Sequence, residues 1–130
     1  MEHQVAIALE QFEEFKEEAK TKYLGFKRHI LTEDILLFVR RQQRSSARDD
    51  YHLCVAAVEI SEEHWGKGYF KKLITSLESR IGHFSSIEFE SVNSKHLEKM
   101  LRDNGYIDSV FRDSIPEAPN LSKTFSKEAE

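Results

Sequence analysis

The segment with the clearest chemical potential is Trp65-Gly66-Lys67-Gly68, which stands between an apolar run, Tyr51 to Ile60, and a stretch with helical spacing that begins near Tyr69. The first amides of a helix have no intrahelical acceptor, and the helix dipole favours negative charge there. Glycines let a phosphate approach the backbone with no side chain in the way. A strand feeding a glycine-containing turn and then a helix is therefore a cradle for phosphate or pyrophosphate. The competing reading is a tight left-handed turn that needs glycine only for its geometry. The spacing is neither the G-x-x-x-x-G-K-[ST] of nucleotide-binding loops nor the three-glycine dinucleotide pattern. Cys54 lies inside the apolar run with no activating partner nearby in sequence, so it reads as a core residue rather than a nucleophile. The six histidines show no H-x-x-x-H or H-E-x-x-H spacing, and a zinc site is not expected.

These residues belong to a chain of 130 residues, which is room for one domain spanning 1–130. A chain of this size buries enough surface to fold without staples. The single cysteine excludes an intrachain disulfide framework. Nineteen basic residues against 23 acidic ones give a net charge of −4, which argues against a dedicated nucleic-acid binder. No apolar run reaches the length of a membrane span and no signal peptide opens the chain, so an intracellular, cytoplasmic protein without a membrane partner is expected.

The elements that must position the glycine loop follow from periodicity. Val5, Ala8, Leu9, Phe12, Phe15 and Ala19 fall at steps of three and four, which predicts an amphipathic helix over 4–22 with its glutamates on the solvated arc. Phe26 to Leu31 and Ile35 to Gln42 flank a short polar turn and read as a hairpin. The segment from Arg40 to Asp50, with Arg40, Arg41, Arg44 and Arg48, reads as a loop, either an exposed strand end or a basic loop facing substrate or phosphate. YHLCVAAVEI, residues 51–60, is apolar on both alternating faces and suits a central strand covered on both sides. A second helix starts near Tyr69 and stops at Gly82, and Ser86 to Val92 alternates like a strand. Asn93 or Ser94 caps a third helix that ends at Gly105. Tyr106 to Arg112 and Asn120 to Ser126 read as closing strands. Helices alternating with strands in this order imply an α/β protein with helices packed on a mixed sheet.

At this point a family resemblance enters. The stretch LCVAAVEISEEHWGKGYFKKLITSLE resembles the acetyl-CoA-binding core of the GNAT superfamily of acyl-CoA N-acyltransferases, whose pattern is a strand, Gln/Arg-x-x-Gly-x-Gly/Ala and a helix. In register, Trp65 takes the Gln/Arg place, Gly68 the first glycine and Phe70 the Gly/Ala place. Downstream, SVNSKHLEKMLRDNGY is similar to the family's strand, asparagine, helix and terminal Gly-Phe, with Gly105-Tyr106 last. The likeness covers roughly residues 5–126, with the family's usual first strand absent or reduced. It implies an α/β (α+β) three-layer fold with a mixed central sheet of about six strands, flanked by helices and splayed in a V between the two central strands.

The resemblance also implies an N-acetyltransferase that moves an acetyl group from acetyl-CoA to a primary amine. Val58 and Ile60 of the central strand, Trp65, Gly66, Lys67, Gly68, Tyr69, Phe70 and Lys71 of the loop and helix start, and Asn93 are the implied cofactor-binding residues. A backbone N–H near Ile60 would polarise the thioester carbonyl. Glu59, Glu88 and Glu90 are the candidates for the base that takes the ammonium proton; Glu88 and Glu90 share a strand face near the expected approach of the amine. The family's usual general-acid tyrosine falls on Leu101, leaving Tyr106, Tyr69 or water for that role. Trp65 and Phe70 also depart from the family pattern, so a catalytically silent CoA-binding or protein-interaction module is the alternative, and a purely structural protein a third. The expected partners are acetyl-CoA and an amine acceptor, with a homodimer allowed, no nucleic acid and no metal.

Overall fold

The structure is a computed structural model, and it describes residues 1–20, 26–43, 51–109 and 113–125. Helix α1 runs over Glu2–Ala19 and buries the stripe that its spacing predicts, from Val5 to Ala19. Its aromatic residues continue into the core: the Phe15 ring stacks near Phe12, Phe26 and Phe84, with centroids 6.1, 5.7 and 6.3 Å away. On its outer side Glu14 and Glu18 pair with Arg28 of the neighbouring strand. The last residues of the helix expected to reach 22 lie outside the described residues, as do Arg44 and Arg48 of the basic loop.

Six strands make one mixed sheet: β1 (Lys27–Leu31), β2 (Ile35–Gln43), β3 (Tyr51–Ile60), β4 (Ser86–Phe89), β5 (Ile107–Asp108) and β6 (Leu121–Thr124), in the order β1-β2-β3-β4-β6-β5. The β3–β4 pair is parallel and the other pairs are antiparallel. Helix α2 (Tyr69–Ser79) connects β3 to β4, which meets the need of a parallel pair for a long crossover. Helix α3 (Lys95–Asp103) follows β4. Tyr106 joins these parts: it is buried, its hydroxyl donates to Glu78 of α2 at 2.9 Å, and its ring meets that of Phe89 edge-on at 5.4 Å. The mixed sheet of about six strands flanked by helices is thus the architecture expected from the residues. No described helix is long and apolar enough to cross a membrane.

Several element ends differ from the sequence reading or are decided by the structure. Arg40 to Gln43 belong to β2 instead of a loop, and the last strand is Leu121–Thr124 instead of Asn120 to Ser126. The strand expected over Ser86 to Val92 ends at Phe89, because Ser91 turns the backbone to a φ of 49° and Val92 N–H bonds the Pro119 carbonyl instead. Of the two residues offered as the cap of α3, Ser94 takes the role: its side chain accepts from Leu97 N–H at 3.2 Å, while Asn93 is exposed. The strand expected from Tyr106 shrinks to Ile107–Asp108, with 110–112 outside the described residues.

Candidate active site

The site begins with a defect in β3. Phe38 of β2 faces Ala57 and Val39 faces Val55, so Ala56 is the extra residue of a β-bulge. A bulge bends its strand and increases the local twist. Pairing with β4 stops at the same place: Val55 opposite Phe89 is the last matched pair, and Glu90 N–H donates to the Val55 carbonyl at 3.0 Å. Beyond Ala56, β3 keeps β2 but leaves β4. This is the splay, and a cleft of about 1050 Å³ opens into it, walled by Val55 to Ile60 on one side and Phe89 to Leu97 on the other.

Backbone alternation tells which groups of β3 face that opening. Ser61 N–H donates to the Asp34 carbonyl at 2.9 Å, toward the β1–β2 turn. Successive residues of a strand point their amide groups to opposite edges, so the N–H and C=O of Ile60 and Val58 point into the cleft. The Ile60 carbonyl is taken by the Trp65 indole, whose Nε1–H donates to it at 2.7 Å. The edge that remains is a short strand template of the kind that an extended amide chain can join.

The loop after β3 closes the other end. A short 3-10 turn, Glu62–His64, leads to Trp65. His64 Nε2 stands 3.2 Å from Asp34 Oδ2, and Gln4 Nε2 donates to the same oxygen at 2.6 Å. Gln4 chiefly, with Ser61 and His64, holds the Asp34 carboxyl below its usual range. The loop base is thereby tied to α1 and to the hairpin turn. Gly66 and Gly68 then adopt φ values of 75° and 82°, and Gly68 is the N-cap of α2 with no side-chain bond to fill the cap. The first helical bond is Lys72 N–H to the Gly68 carbonyl, so the amides of Tyr69, Phe70 and Lys71 are left outside the helical pattern. No atom lies within 4 Å of where a Cβ on Gly66 or Gly68 would stand. Open space before two left-handed glycines at a helix start fits a phosphate-bearing ligand. Phe70 lines the cleft half-buried, while Lys67 and Lys71 are exposed beside the loop and Tyr69 turns its ring edge-on to His64 at 6.1 Å.

The three glutamates separate. Glu59 is exposed and lines the cleft from β3. Glu90 lines it from the opposite wall and is ion-paired with Arg40 of β2. Glu88 does not line it, which corrects the expectation that it shares the amine's approach with Glu90: it is fully buried, accepts from Ser109 Oγ at 2.5 Å and lies 3.9 Å from Cys54 Sγ. The reason is that β4 ends between the two residues, so only Glu90 reaches the opening. Cys54, Glu88 and Glu90 bring potential metal-ligand atoms within 4.8 Å of one another. The Arg40 guanidinium reaches both Glu90 and, at 3.3 Å, Cys54 Sγ, so an arginine supplies the cation there. Burial pushes the Cys54 thiol up to about 12, which keeps it neutral and unreactive.

Neither tyrosine named from the sequence lines the cleft among the described residues. Leu101 is fully buried, and burial followed by the charge of Glu78 raises the Tyr106 phenol. Two lining or supporting residues were missed. His96, exposed in the first turn of α3, lines the cleft; its position two residues past the Ser94 cap was the signal. Arg40 was read as part of a basic loop, and only the β2–β3 register, which sets it beside Cys54, reveals its partner.

No protein-family model matches the chain, and no curated protein matches it. Solved structures do. The AtaT Y144F mutant toxin bound to the C-terminus of the antitoxin AtaR superposes with a TM-score of 0.51 at 10% identity, over 70% of this chain and 58% of that one. The same mutant toxin with the antitoxin C-terminus and acetyl-CoA gives 0.50 at 11% identity, over 70% and 58%. The KacTA–DNA complex gives 0.52 at 10% identity, over 90% of this chain and 79% of that one. The chain thus spans under two-thirds of the length of the AtaT chains, and at these identities the likeness establishes the fold. It also overturns one expectation. Net charge argued against nucleic acid, yet chains of this fold are found in a complex with DNA and bound to an antitoxin. Net charge is a sum over the whole surface and does not describe the local patches or the assemblies through which such contacts are made.

Proposed function

We propose that this chain, which has the fold of the GNAT acyltransferases, is an N-acetyltransferase that moves an acetyl group from acetyl-CoA to a primary amine of a small molecule or protein, by direct attack of the amine on the thioester. The observation that carries the reading is the free edge of β3 beside a helix start whose two left-handed glycines face open space. Acetyl-CoA supplies an activated acyl carbonyl and a thiolate leaving group. The amides of Gly66 to Phe70 hold its phosphates, with Lys67 and Lys71 adding charge. Val58 and Ile60 offer backbone groups to the extended arm, and the Ile60 N–H polarises the carbonyl. Asn93, exposed on the β4 wall, borders the same opening.

Glu59 and Glu90 stand on the two walls and are the groups available to take the ammonium proton, directly or through water. Calorimetric titration with acetyl-CoA tests the binding half of the reading, and thiol release across a panel of amines tests the chemistry. Glu59→Gln and Glu90→Gln, made separately, locate the base. The variant that removes it loses about 10²-fold or more in turnover while still binding acetyl-CoA; no change in either variant means that neither carboxylate acts.

A second reading has its own support. Leu101 is buried where the family has its acid, and among the described residues no tyrosine lines the cleft. A silent CoA-binding or protein-interaction module binds acetyl-CoA without releasing thiol on any amine.

A further inference from the structure

Trp65 is in an unusual position for a large aromatic residue. Its side chain is more than half exposed, at 57%, so burial does not hold it across the end of β3. What holds it is the 2.7 Å bond from its Nε1–H to the Ile60 carbonyl. That carbonyl belongs to the unpaired edge of β3, as the Ser61 N–H bond to the Asp34 carbonyl on the opposite edge requires. A bare strand edge is a row of donors and acceptors that asks for a partner. Within β3 beyond the bulge, the last such acceptor is capped by the protein's own indole.

The parts around the ring differ in freedom. The chain before it is anchored, since Trp65 N–H bonds the Glu62 carbonyl at 3.0 Å and His64 is held by Asp34. The residue after it is Gly66, at a φ of 75° with nothing within 4 Å of a Cβ position. The ring is therefore tied at one atom, open to solvent on much of its surface, and followed by a residue with wide backbone freedom.

We propose that Trp65 is a self-bound stand-in for the cofactor: its indole N–H occupies the β3 carbonyl that an amide N–H of the extended CoA arm pairs with, and it swings off when that arm enters. This rests on the acetyl-CoA reading of the cleft. It deepens that reading by making Trp65 a competitor of the ligand rather than part of its seat, which reverses the sense in which the family register lines it up. The chemistry required of the ligand is an extended chain carrying secondary amides, able to add to the edge as a strand does. No bond to phosphate is asked of Trp65.

Trp65 is the single tryptophan of the chain, so the indole emission comes from this residue alone. Titration of the full chain with acetyl-CoA should change the indole emission in a saturable way, as the ring leaves Ile60. Trp65→Phe keeps an aromatic ring and removes the donor. By calorimetry it should bind acetyl-CoA about 2- to 10-fold more tightly than the parent, the range that corresponds to one net hydrogen bond. If the parent binds with no change in emission, or if Trp65→Phe binds equally or more weakly, the stand-in proposal is overturned while the cofactor reading survives. If neither protein binds acetyl-CoA, the cofactor reading fails and this inference falls with it.

Discussion

The two halves of β3, Tyr-His-Leu-Cys-Val and Ala-Ala-Val-Glu-Ile, belong to one continuous strand and have opposite fates. From Tyr51 to Val55 the strand is paired on both edges, and His52, Leu53, Cys54 and Val55 are all buried. From Ala57 to Ile60 it is paired with β2 alone; Ala56 to Val58 are only partly buried, Glu59 is exposed and Ile60 is buried again. The first half spends its backbone groups on the fold. The second turns those of Val58 and Ile60 toward the cleft instead of toward a neighbouring strand. What separates the halves in their pairing is one extra residue in the ladder, Ala56. The same contrast runs through the charged groups: Glu88, beside the closed half, is bound up with Ser109, whereas Glu59 and Glu90 border the opening.

The comparison can be broken most severely by a cavity in the closed half. Leu53→Ala, at a fully buried position, should cost about 2–5 kcal/mol of unfolding free energy in urea titration, whereas Val58→Ala in the open half should cost about 1 kcal/mol or less. Equal losses would mean that the two halves do not differ in how much of the core they carry.

A smaller effect is expected at the edge of the opening. Gly68→Ala meets no atom, so its cost is the backbone strain of a side chain at a φ of 82°, about 1–2 kcal/mol by thermal unfolding. The new methyl also stands before the helix-start amides, and acetyl-CoA affinity should fall with it.

The smallest effect sharpens the closed half by pH. Burial raises the folded Cys54 thiol from 9.0 to about 12, so the unfolded chain loses that proton more readily. The stability it contributes is complete below pH 9 and declines as pH rises from there toward about 12. Cys54→Ser should flatten that alkaline decline in denaturation curves. Alkylation of the folded chain should be slow at neutral pH.

Much of the frame was legible in residue spacing. The α1 stripe, the bounds of β3 at Tyr51 and Ile60, and the start of α2 at Tyr69 match the sequence reading, because each depends on local periodicity or on a glycine. The end of β4 was not legible: Glu88 and Glu90 alternate like strand residues, and only the turn at Ser91 divides them. Nor were Trp65's partner and Arg40's, since both contacts depend on how neighbouring segments meet.

The glycine loop at residues 66–68, with the apolar strand before it and the helix after it, was determined by the sequence itself, as its conformation needs only residues without a Cβ and the periodicity around them. Whether that loop would stand beside an open cleft was decided by the tertiary structure. The bulge at Ala56 exists only as a mismatch between β2 and β3, and register is a property of two strands together.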